Sequence, residues 1–302
     1  MSRSKGVLLT IISASCFGVI PLLAMISYHN GLNPYTFSLF RSVFASIEIF
    51  LFLKLKNIDY RVKREQILPL FYASLIGYCL MMVTLSMSYK YLSTGLATTL
   101  HFVYPVAVLF GSVVLFKEKV ERRKVCALII AILGIYFLVG FGASANISLI
   151  GIIIALASGL FYAFYVLTIS YSNIKDLNAF VLAFYISLFN ALILFFVSFF
   201  TGNMHLNITY IGLISTGLVA LLCNLIGMVA FQSGIKIIGP TTATLLSTFE
   251  PMTSMIIGLL ILGETMAWYD VIGSLLIIIS VVIVAFSGGK ILKNEKTLAQ
   301  RE

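Results

Sequence analysis

The chain has 302 residues and a net charge of +9, yet only 10% of its residues are charged and 60% are hydrophobic. Its mean hydropathy is +1.07. A soluble domain of this size could not cover its surface with so few charges, so that class is excluded.

Apolar runs of about 20 residues, enough to cross a hydrocarbon layer of roughly 30 Å, recur along the whole sequence. We predict ten helical spans with short connections, which makes the chain an all-α integral membrane protein. Spans 1 to 10 cover residues 6–27, 34–53, 68–88, 93–116, 124–141, 148–170, 178–200, 209–232, 239–262 and 268–287. The first span lacks a convincing cleavage site and is predicted to be an uncleaved helix. Residues 288–302 form a polar tail.

The basic residues are distributed unevenly between the connections. Of the 20 Lys and Arg residues, 18 fall in the terminal and connecting segments that ten successive spans would place on the same side of the membrane. Lys90 alone lies in the opposite loops, and Arg41 lies within span 2. The positive-inside rule then predicts a protein of the cytoplasmic membrane with both termini and the tail in the cytoplasm. The excess of basic residues therefore indicates the orientation of the chain in the membrane and not a nucleic-acid-binding surface.

Residue clusters that carry enzyme chemistry are missing from the sequence. The four cysteines all fall within spans and have no paired or metal-ligand spacing, so we interpret them as packing residues. Phosphate-binding glycine loops and nucleophile–base pairs are also absent. The sequence therefore predicts no enzyme, no cofactor, no metal site and no partner protein; the expected partners are the lipid bilayer and a small-molecule substrate.

An internal repeat organises the chain, because the same residues recur at a nearly constant separation. A shift of 145 positions matches Gly6 with Gly151, Ser13 with Ser158, Ser27 with Ser172, Ser42 with Ser187, and Phe44 with Phe189. A shift of 146 matches Lys90 with Lys236, Ala97 with Ala243, Thr98 with Thr244, Leu100 with Leu246, Pro105 with Pro251, and Glu118 with Glu264.

Each predicted repeat holds five spans, residues 1–146 in the first and 147–287 in the second. Because five is odd, the second repeat enters the membrane from the side opposite to the first. Inverted repeats let two halves exchange conformations around a central site, which is typical of secondary transporters. Channels and membrane enzymes can also be duplicated, so the repeat supports transport without proving it.

The two five-helix repeats, with "YP" and "EP" at corresponding points of spans 4 and 9 and a glutamate closing each span, resemble the EamA-like group of the drug/metabolite transporter superfamily. Arg41 in "LFRSVFA" matches the same group. The resemblance covers about residues 6–287. It implies a ten-helix fold with a central cavity and transport of small metabolites.

Glu250 lies near the middle of span 9, about 18 Å from either end at 1.5 Å per residue. An acidic side chain at that depth costs on the order of 3 kcal/mol to insert, so it should face a cavity or a partner. A carboxyl group whose surroundings alternate can load and release a proton in each cycle. The alternative is a permanently paired or protonated residue that packs span 9.

Two prolines, Pro105 and Pro251, occupy equivalent positions in the repeats. Each removes the hydrogen bond to the carbonyl four residues earlier, at His101 and at Ser247. Freed carbonyls near the midplane are tolerated where they line a cavity or find a partner, so we predict functional bends. Bends that serve only packing are the alternative.

The remaining candidates are polar or aromatic side chains within the spans. His101 and Tyr104 share one face of span 4, and Tyr104 occupies the position that Glu250 fills in span 9. Arg41 could bind a substrate carboxylate, neutralise Glu250 or anchor the bundle. Further candidates are Tyr162 and Tyr165 as cavity-lining residues, Glu118 and Glu264 as gate or loop-anchoring residues, Glu48 as a structural residue, and Asn190 and Asn224 as sources of interhelical hydrogen bonds.

We therefore predict a secondary transporter of small amphipathic metabolites, such as amino acids or related compounds, that exports its substrate and is coupled to protons. Gradients must drive it, because no ATP-binding motif is present. Within transport, the alternatives are an importer or exchanger of a nucleotide-like or sugar-like metabolite and an uncoupled facilitator. An ion channel and a membrane-embedded enzyme are less well supported.

Overall fold

The structure, a computed structural model, describes residues 2–88, 91–92, 94–137, 148–202, 204, 207–261 and 268–286, and all regular secondary structure in these ranges is helical. In chain order the helices are α1 (Arg3–Phe17), α2 (Ile20–His29), α3 (Pro34–Leu55), α4 (Arg64–Ser88), α5 (Thr94–His101), α6 (Tyr104–Val114), α7 (Arg122–Ile135), α8 (Leu149–Tyr171), α9 (Ala179–Phe200), α10 (Tyr210–Ile238), α11 (Pro240–Leu246), α12 (Glu250–Ile261) and α13 (Trp268–Phe286).

Six helical segments in the described part are long and apolar enough to cross a membrane: α1 with α2, α3, α4, α8, α9 and α10. The all-helical membrane class is thereby confirmed for these residues, whereas the count of ten spans stays a prediction. Of the other predicted spans, 4 and 9 are each divided into two helices. Span 1 also differs from its prediction, since Gly18 and Val19 interrupt it between α1 and α2.

Local sequence explains where several helices begin. Asn33 caps α3 by accepting the N–H of Thr36 at 2.8 Å, and Pro34 fills the first turn, where no N–H is needed. Between α10 and α11 the chain turns sharply at Gly239, whose φ is +80°. Glycine adopts this conformation without a steric penalty, and Pro240 then starts α11.

Spans 4 and 9 break at equivalent points. Residues 102–103 separate α5 from α6, and a 3₁₀ turn over Ser247–Phe249 separates α11 from α12. The prolines follow at once, within the first turns of α6 and α12. The carbonyl of Ser247, which Pro251 leaves without its helical donor, accepts the N–H of Glu250 through the tighter turn.

Two π-helical segments also occupy equivalent points, at Ala73–Cys79 within α4 and at Ala220–Met228 within α10. A shift of 146 carries the first segment onto residues 219–225. Such segments are rare and occur frequently at functional sites, because the extra residue in the turn redirects the side chains. The hydropathy pattern did not predict them.

The helices pack as two bundles that each combine both repeats. The α8 bundle consists of α4, α5, α6 and α8, and the α1 bundle consists of α1, α2, α10, α11 and α12. The pairs α3–α9 and α7–α13 flank them. This contact pattern has the symmetry of the repeat: α1 packs on α10 as α8 packs on α4, and α1 packs on α11 and α12 as α8 packs on α5 and α6.

One end of the molecule carries the start of α1 and the ends of α3, α6, α8 and α10, and we call it the basic end. Gly6 packs against Ile237 and Ile238 there, and Lys236 donates a hydrogen bond to the carbonyl of Leu177. At the opposite end, Thr209 donates to the side chain of Asn30 at 2.7 Å. Contacts between sequence-distant segments therefore hold the α1 bundle together at both ends.

The α8 bundle depends on a close approach of two backbones at Gly77. A Cβ at this position would lie 2.6 Å from Cβ and 2.9 Å from Cα of Tyr165 on α8. Gly217 provides a contrast, since the nearest atom to a Cβ there is Phe44 Cδ2 at 3.9 Å.

We expect Gly77→Ala to destabilise the protein by about 1–3 kcal/mol, because α4 and α8 must separate to admit the methyl group. Gly217→Ala is the matched control and should leave stability unchanged or raise it. Thermal unfolding of the detergent-purified variants, followed by size-exclusion chromatography, measures both. Equal stability of the two variants would contradict the close packing of α4 on α8.

Candidate functional site

Glu250 begins α12 at the point where span 9 is broken. Its carboxyl group lies within electrostatic range of Arg41, Tyr78, Tyr104 and Tyr162, which belong to α3, α4, α6 and α8. Protein thus surrounds the carboxyl group, while the residue as a whole keeps some accessible surface. The carboxyl group is therefore enclosed by side chains of the protein.

The two broken spans meet beside Glu250. Tyr104 is the first residue of α6, and its hydroxyl is hydrogen bonded to Ser247 Oγ at 2.5 Å. Ser247 also donates to the carbonyl of Thr244 at 2.8 Å, so Tyr104 is the donor in the bond between the two hydroxyls. This bond joins the α8 bundle to the α1 bundle and lies on the side of Glu250 nearer the basic end, where α6 packs on α11.

Aromatic rings line the same region. Tyr162 stands edge-on to Tyr104 with ring centroids 4.8 Å apart, and it stacks on Tyr165 at 5.6 Å and on Phe231 at 6.2 Å. Tyr162 retains accessible surface, whereas Tyr104 and Tyr165 are buried. The predicted cavity-lining tyrosines therefore lie together, and Tyr162 presents the accessible ring.

His101 ends α5 and is buried against α8. Its Nδ1 lies 2.9 Å from Ser158 Oγ, which itself donates to the carbonyl of Ala155 at 2.6 Å. Since the serine proton is used in that bond, the network assigns the hydrogen to Nδ1 of His101. His101 packs on Tyr104 and Tyr162, but its hydrogen bond faces away from Ser247 and stays within the α8 bundle.

The carbonyl of His101 also has a defined neighbour. A Cβ at Gly159 on α8 would lie 2.5 Å from this oxygen, so only glycine lets α8 approach it. The carbonyl that Pro105 leaves without its helical donor is therefore covered by the backbone of α8.

Arg41 reaches both bundles from α3, and it is only 5% exposed. Its Nε donates to Asn224 Oδ1 at 2.8 Å and its Nη2 donates to the Tyr78 hydroxyl at 3.2 Å. Tyr78 and Asn224 are repeat-equivalent at a shift of 146, and each lies in a π-helical segment. The one ion pair within 4.0 Å among the described residues joins Lys63 to Glu65, so Arg41 and Glu250 interact at longer range.

Sequence analysis missed three residues of this network: Tyr78, Ser158 as the partner of His101, and Gln232. Gln232 is buried, its Nε2 donates to the Tyr165 hydroxyl at 2.8 Å, and its Oε1 is buried without a hydrogen-bond partner. The repeat register could have identified Tyr78 through Asn224. Gln232 has no such equivalent, because the shift of 146 carries it onto Ser86.

Glu118 lies at the basic end and holds three helices together. Its Oε2 accepts hydrogen bonds from Tyr171 at the end of α8 and from Thr241 in α11, both at 2.9 Å. Phe116 stacks on Tyr171 at 3.9 Å beside this group. We call Glu118, Tyr171 and Thr241 the basic-end clasp; its bond to Thr241 crosses between the bundles.

The remaining predicted carboxyl groups are Glu48 and Glu264. Glu48 lies on α3, where its Oε2 is buried without a hydrogen-bond partner. Glu264 falls outside the described residues. Asn190 donates to Met82 Sδ at 3.7 Å, which joins α9 to α4.

The arrangement brings one carboxyl group, one guanidinium group and a partly exposed aromatic residue into one region. A carboxylate and aromatic faces both attract an ammonium group, and a guanidinium matches a carboxylate. In the part of the chain that the structure covers, no group of three or more His, Cys, Asp or Glu residues could hold a metal ion. The site is thus suited to binding small polar molecules reversibly.

Comparison with known proteins identifies the family of this chain. The EamA-like transporter family matches residues 4–140 and 149–286, one copy for each repeat. The chain is 25% identical over 300 residues to the uncharacterized inner membrane transporter YicL of Salmonella typhimurium (strain LT2), covering 94% of this chain and 96% of that one. A protein crystal structure with 14% sequence identity superposes with a TM-score of 0.78 over 96% of this chain and all of its own, which shows a shared fold. The chain therefore belongs to the EamA-like transporter family and is a multi-pass membrane transporter.

Proposed function

We propose that this protein is a secondary active transporter that exports small amphipathic metabolites, amino acids or related compounds, across the cytoplasmic membrane in exchange for protons. The observation that carries the proposal is the position of Glu250. Its carboxyl group is enclosed by protein and has neighbours on α3 in the flank and on α4, α6 and α8 of the α8 bundle, while Glu250 itself belongs to the α1 bundle. An ionisable group in such a place is a binding-site hypothesis in a membrane protein.

Alternating access is supported by the exchange symmetry of the packing. Repeats 1–146 and 147–287, related by inversion, can form two states in which the bundles swap roles. Tyr104–Ser247, Tyr165–Gln232 and Glu118–Thr241 are described hydrogen bonds between the α8 and α1 bundles on the basic-end side of Glu250. With the termini in the cytoplasm, the basic end is cytoplasmic, and this conformation is the one closed toward the cytoplasm.

The substrate class follows from the chemistry of the side chains around Glu250. Glu250 with the Tyr162 ring would hold an ammonium group, and Arg41 would attract a carboxylate. A molecule that carries both, with an apolar remainder against the aromatic cluster, satisfies all three. A neutral sugar or a nucleotide would leave either Glu250 or Arg41 without a complementary group, so we favour amino acids over those alternatives.

Purified protein in liposomes that contain a pH-sensitive dye tests this function. Amino acids, nucleobases, sugars and organic cations are added one at a time. A substrate-dependent pH change with an amino acid is the expected result. Counterflow of labelled substrate without a pH change would mean an uncoupled facilitator, and a response to sugars or nucleotides alone would overturn the substrate class.

We expect Glu250→Gln to abolish pH-driven transport while leaving the folded yield near that of the wild type, because the amide is almost isosteric but cannot carry the proton. Glu48→Gln is the matched control. It neutralises another carboxyl group within the membrane-spanning helices, one that is not among the neighbours of Glu250, so proton coupling should persist. Transport by Glu250→Gln at the wild-type rate would make Glu250 structural.

The basic-end clasp gives a second prediction. Thr241→Val removes the hydrogen bond between the bundles, whereas Tyr171→Phe removes one within the α8 bundle. Spin labels at the exposed residues Lys5 and Lys119, in a background without the four native cysteines, report the separation of the bundles at this end. We expect Thr241→Val to enrich the longer distance by about 2- to 10-fold, as one hydrogen bond allows.

Tyr171→Phe should leave that distance distribution unchanged, because Tyr171 and Glu118 both belong to the α8 bundle. If the two variants instead shift it equally, or if neither shifts it, the clasp does not hold the cytoplasmic side closed.

A further inference from the structure

The repeat assigns counterparts to two contacts near Glu250. At a shift of 146, Tyr104 corresponds to Glu250 and His101 corresponds to Ser247. The Tyr104–Ser247 hydrogen bond, which joins the bundles in this structure, therefore corresponds to a Glu250–His101 contact. His101 is paired with Ser158 instead, so the counterpart contact is not made in this conformation.

A second contact has a counterpart that is also unmade. The His101–Ser158 bond corresponds to a bond between Ser247 and Ser13, because a shift of 145 relates Ser13 to Ser158. Ser13 is fully buried on α1, and its hydroxyl has no hydrogen-bond partner. Ser247 is engaged by Tyr104, although the turn that carries it packs on α1.

We propose that opening toward the cytoplasm exchanges these partners, so that Glu250 bonds to His101 and Ser247 bonds to Ser13. Tyr104 then releases Ser247, and His101 releases Ser158. The inference rests on the proposed alternating access and adds to it the polar contacts that define the second state. It makes His101 and Ser13 positioning residues for the transport cycle.

The unpaired hydroxyl of Ser13 is the independent observation behind this exchange. A buried hydroxyl without a partner costs free energy, and native structures keep few such groups. In the exchanged state Ser13 gains a partner while Ser158 keeps its bond to the carbonyl of Ala155. The two states thus bury comparable numbers of unpaired groups, as near-balanced states require.

The exchange gives Glu250 a different environment in each state. In this conformation Arg41, Tyr78, Tyr104 and Tyr162 lie near its carboxyl group. In the other, the imidazole of His101 would bond to the carboxyl group. A ligand bound to Glu250 must then leave or share the carboxyl group, which links the movement of the bundles to release from the site.

Two alanine variants test the exchange because they remove one partner from each state. Ser13→Ala deletes a hydrogen bond that only the cytoplasm-open state makes. Ser158→Ala deletes one that only the present state makes with His101. Both serines are fully buried and replaced by a smaller residue, so their packing cost is similar. Ser198→Ala is the control, since Ser198 Oγ is also buried without a partner but lies on the flanking helix α9.

The readout is the distance distribution between spin labels at Lys5 and Lys119. Ser13→Ala should lower the population with the longer distance and Ser158→Ala should raise it, each by about 2- to 10-fold. Ser198→Ala should change neither population. If both variants shift the distance distribution in the same direction, or if neither shifts it, the partner exchange is overturned. Two distance populations in the wild type would still support alternating access in that case. A single population in the wild type under all pH gradients would overturn both.

Discussion

The cost of holding a carboxyl group inside a membrane constrains much of this structure. Glu250 has to be surrounded by protein or water, because facing lipid would cost several kcal/mol. The chain meets this requirement with broken and distorted helices: α11 ends at a 3₁₀ turn just before Glu250, and the π-helical segments of α4 and α10 direct Tyr78 and Asn224 toward Arg41. Irregular backbone at that depth is tolerated where protein or a cavity covers it. The irregular helical segments thus help to surround the carboxyl group of Glu250 with protein.

The two repeats share a backbone plan but differ at the site. Both break at a proline in their fourth helix, yet Tyr104 and His101 stand in one repeat where Glu250 and Ser247 stand in the other. A strictly symmetric pair would carry two carboxyl groups near the midplane, which would repel each other at close range. Replacing one by tyrosine keeps a hydrogen-bonding group and leaves one ionisable carboxyl group. The present conformation uses the tyrosine to join the bundles.

Sequence patterns predicted the fold class because a membrane leaves few alternatives. Apolar runs of sufficient length indicate helices, and the register of Pro105 and Pro251 located both helix breaks. The same pattern could not predict the π-helical segments, since their residues are as apolar as those of the regular helices around them. It also could not assign the partner of His101: the ring could turn toward Tyr104 and Ser247 or toward Ser158, and only the packing of α5 on α8 decides between them. The sequence indicated that Arg41 could neutralise Glu250. It could not place Tyr78 and Asn224 beside Arg41, because those contacts depend on tertiary geometry.

The contacts of Arg41 are suited to a pivot about which the two bundles rock. It lies on the flanking helix α3 and bonds to one residue of each bundle, Tyr78 in α4 and Asn224 in α10. When two rigid bodies rock, points near the pivot move least, so bonds there survive while bonds at the ends break. The contacts of Arg41 lie well inside the helices, whereas the bond between Glu118 and Thr241 lies at the basic end. In a rocking motion, the clasp would therefore break on opening toward the cytoplasm and the Arg41 contacts would hold the bundles in register. Arg41 would then serve the cycle by keeping its partners, and Glu250 by changing them.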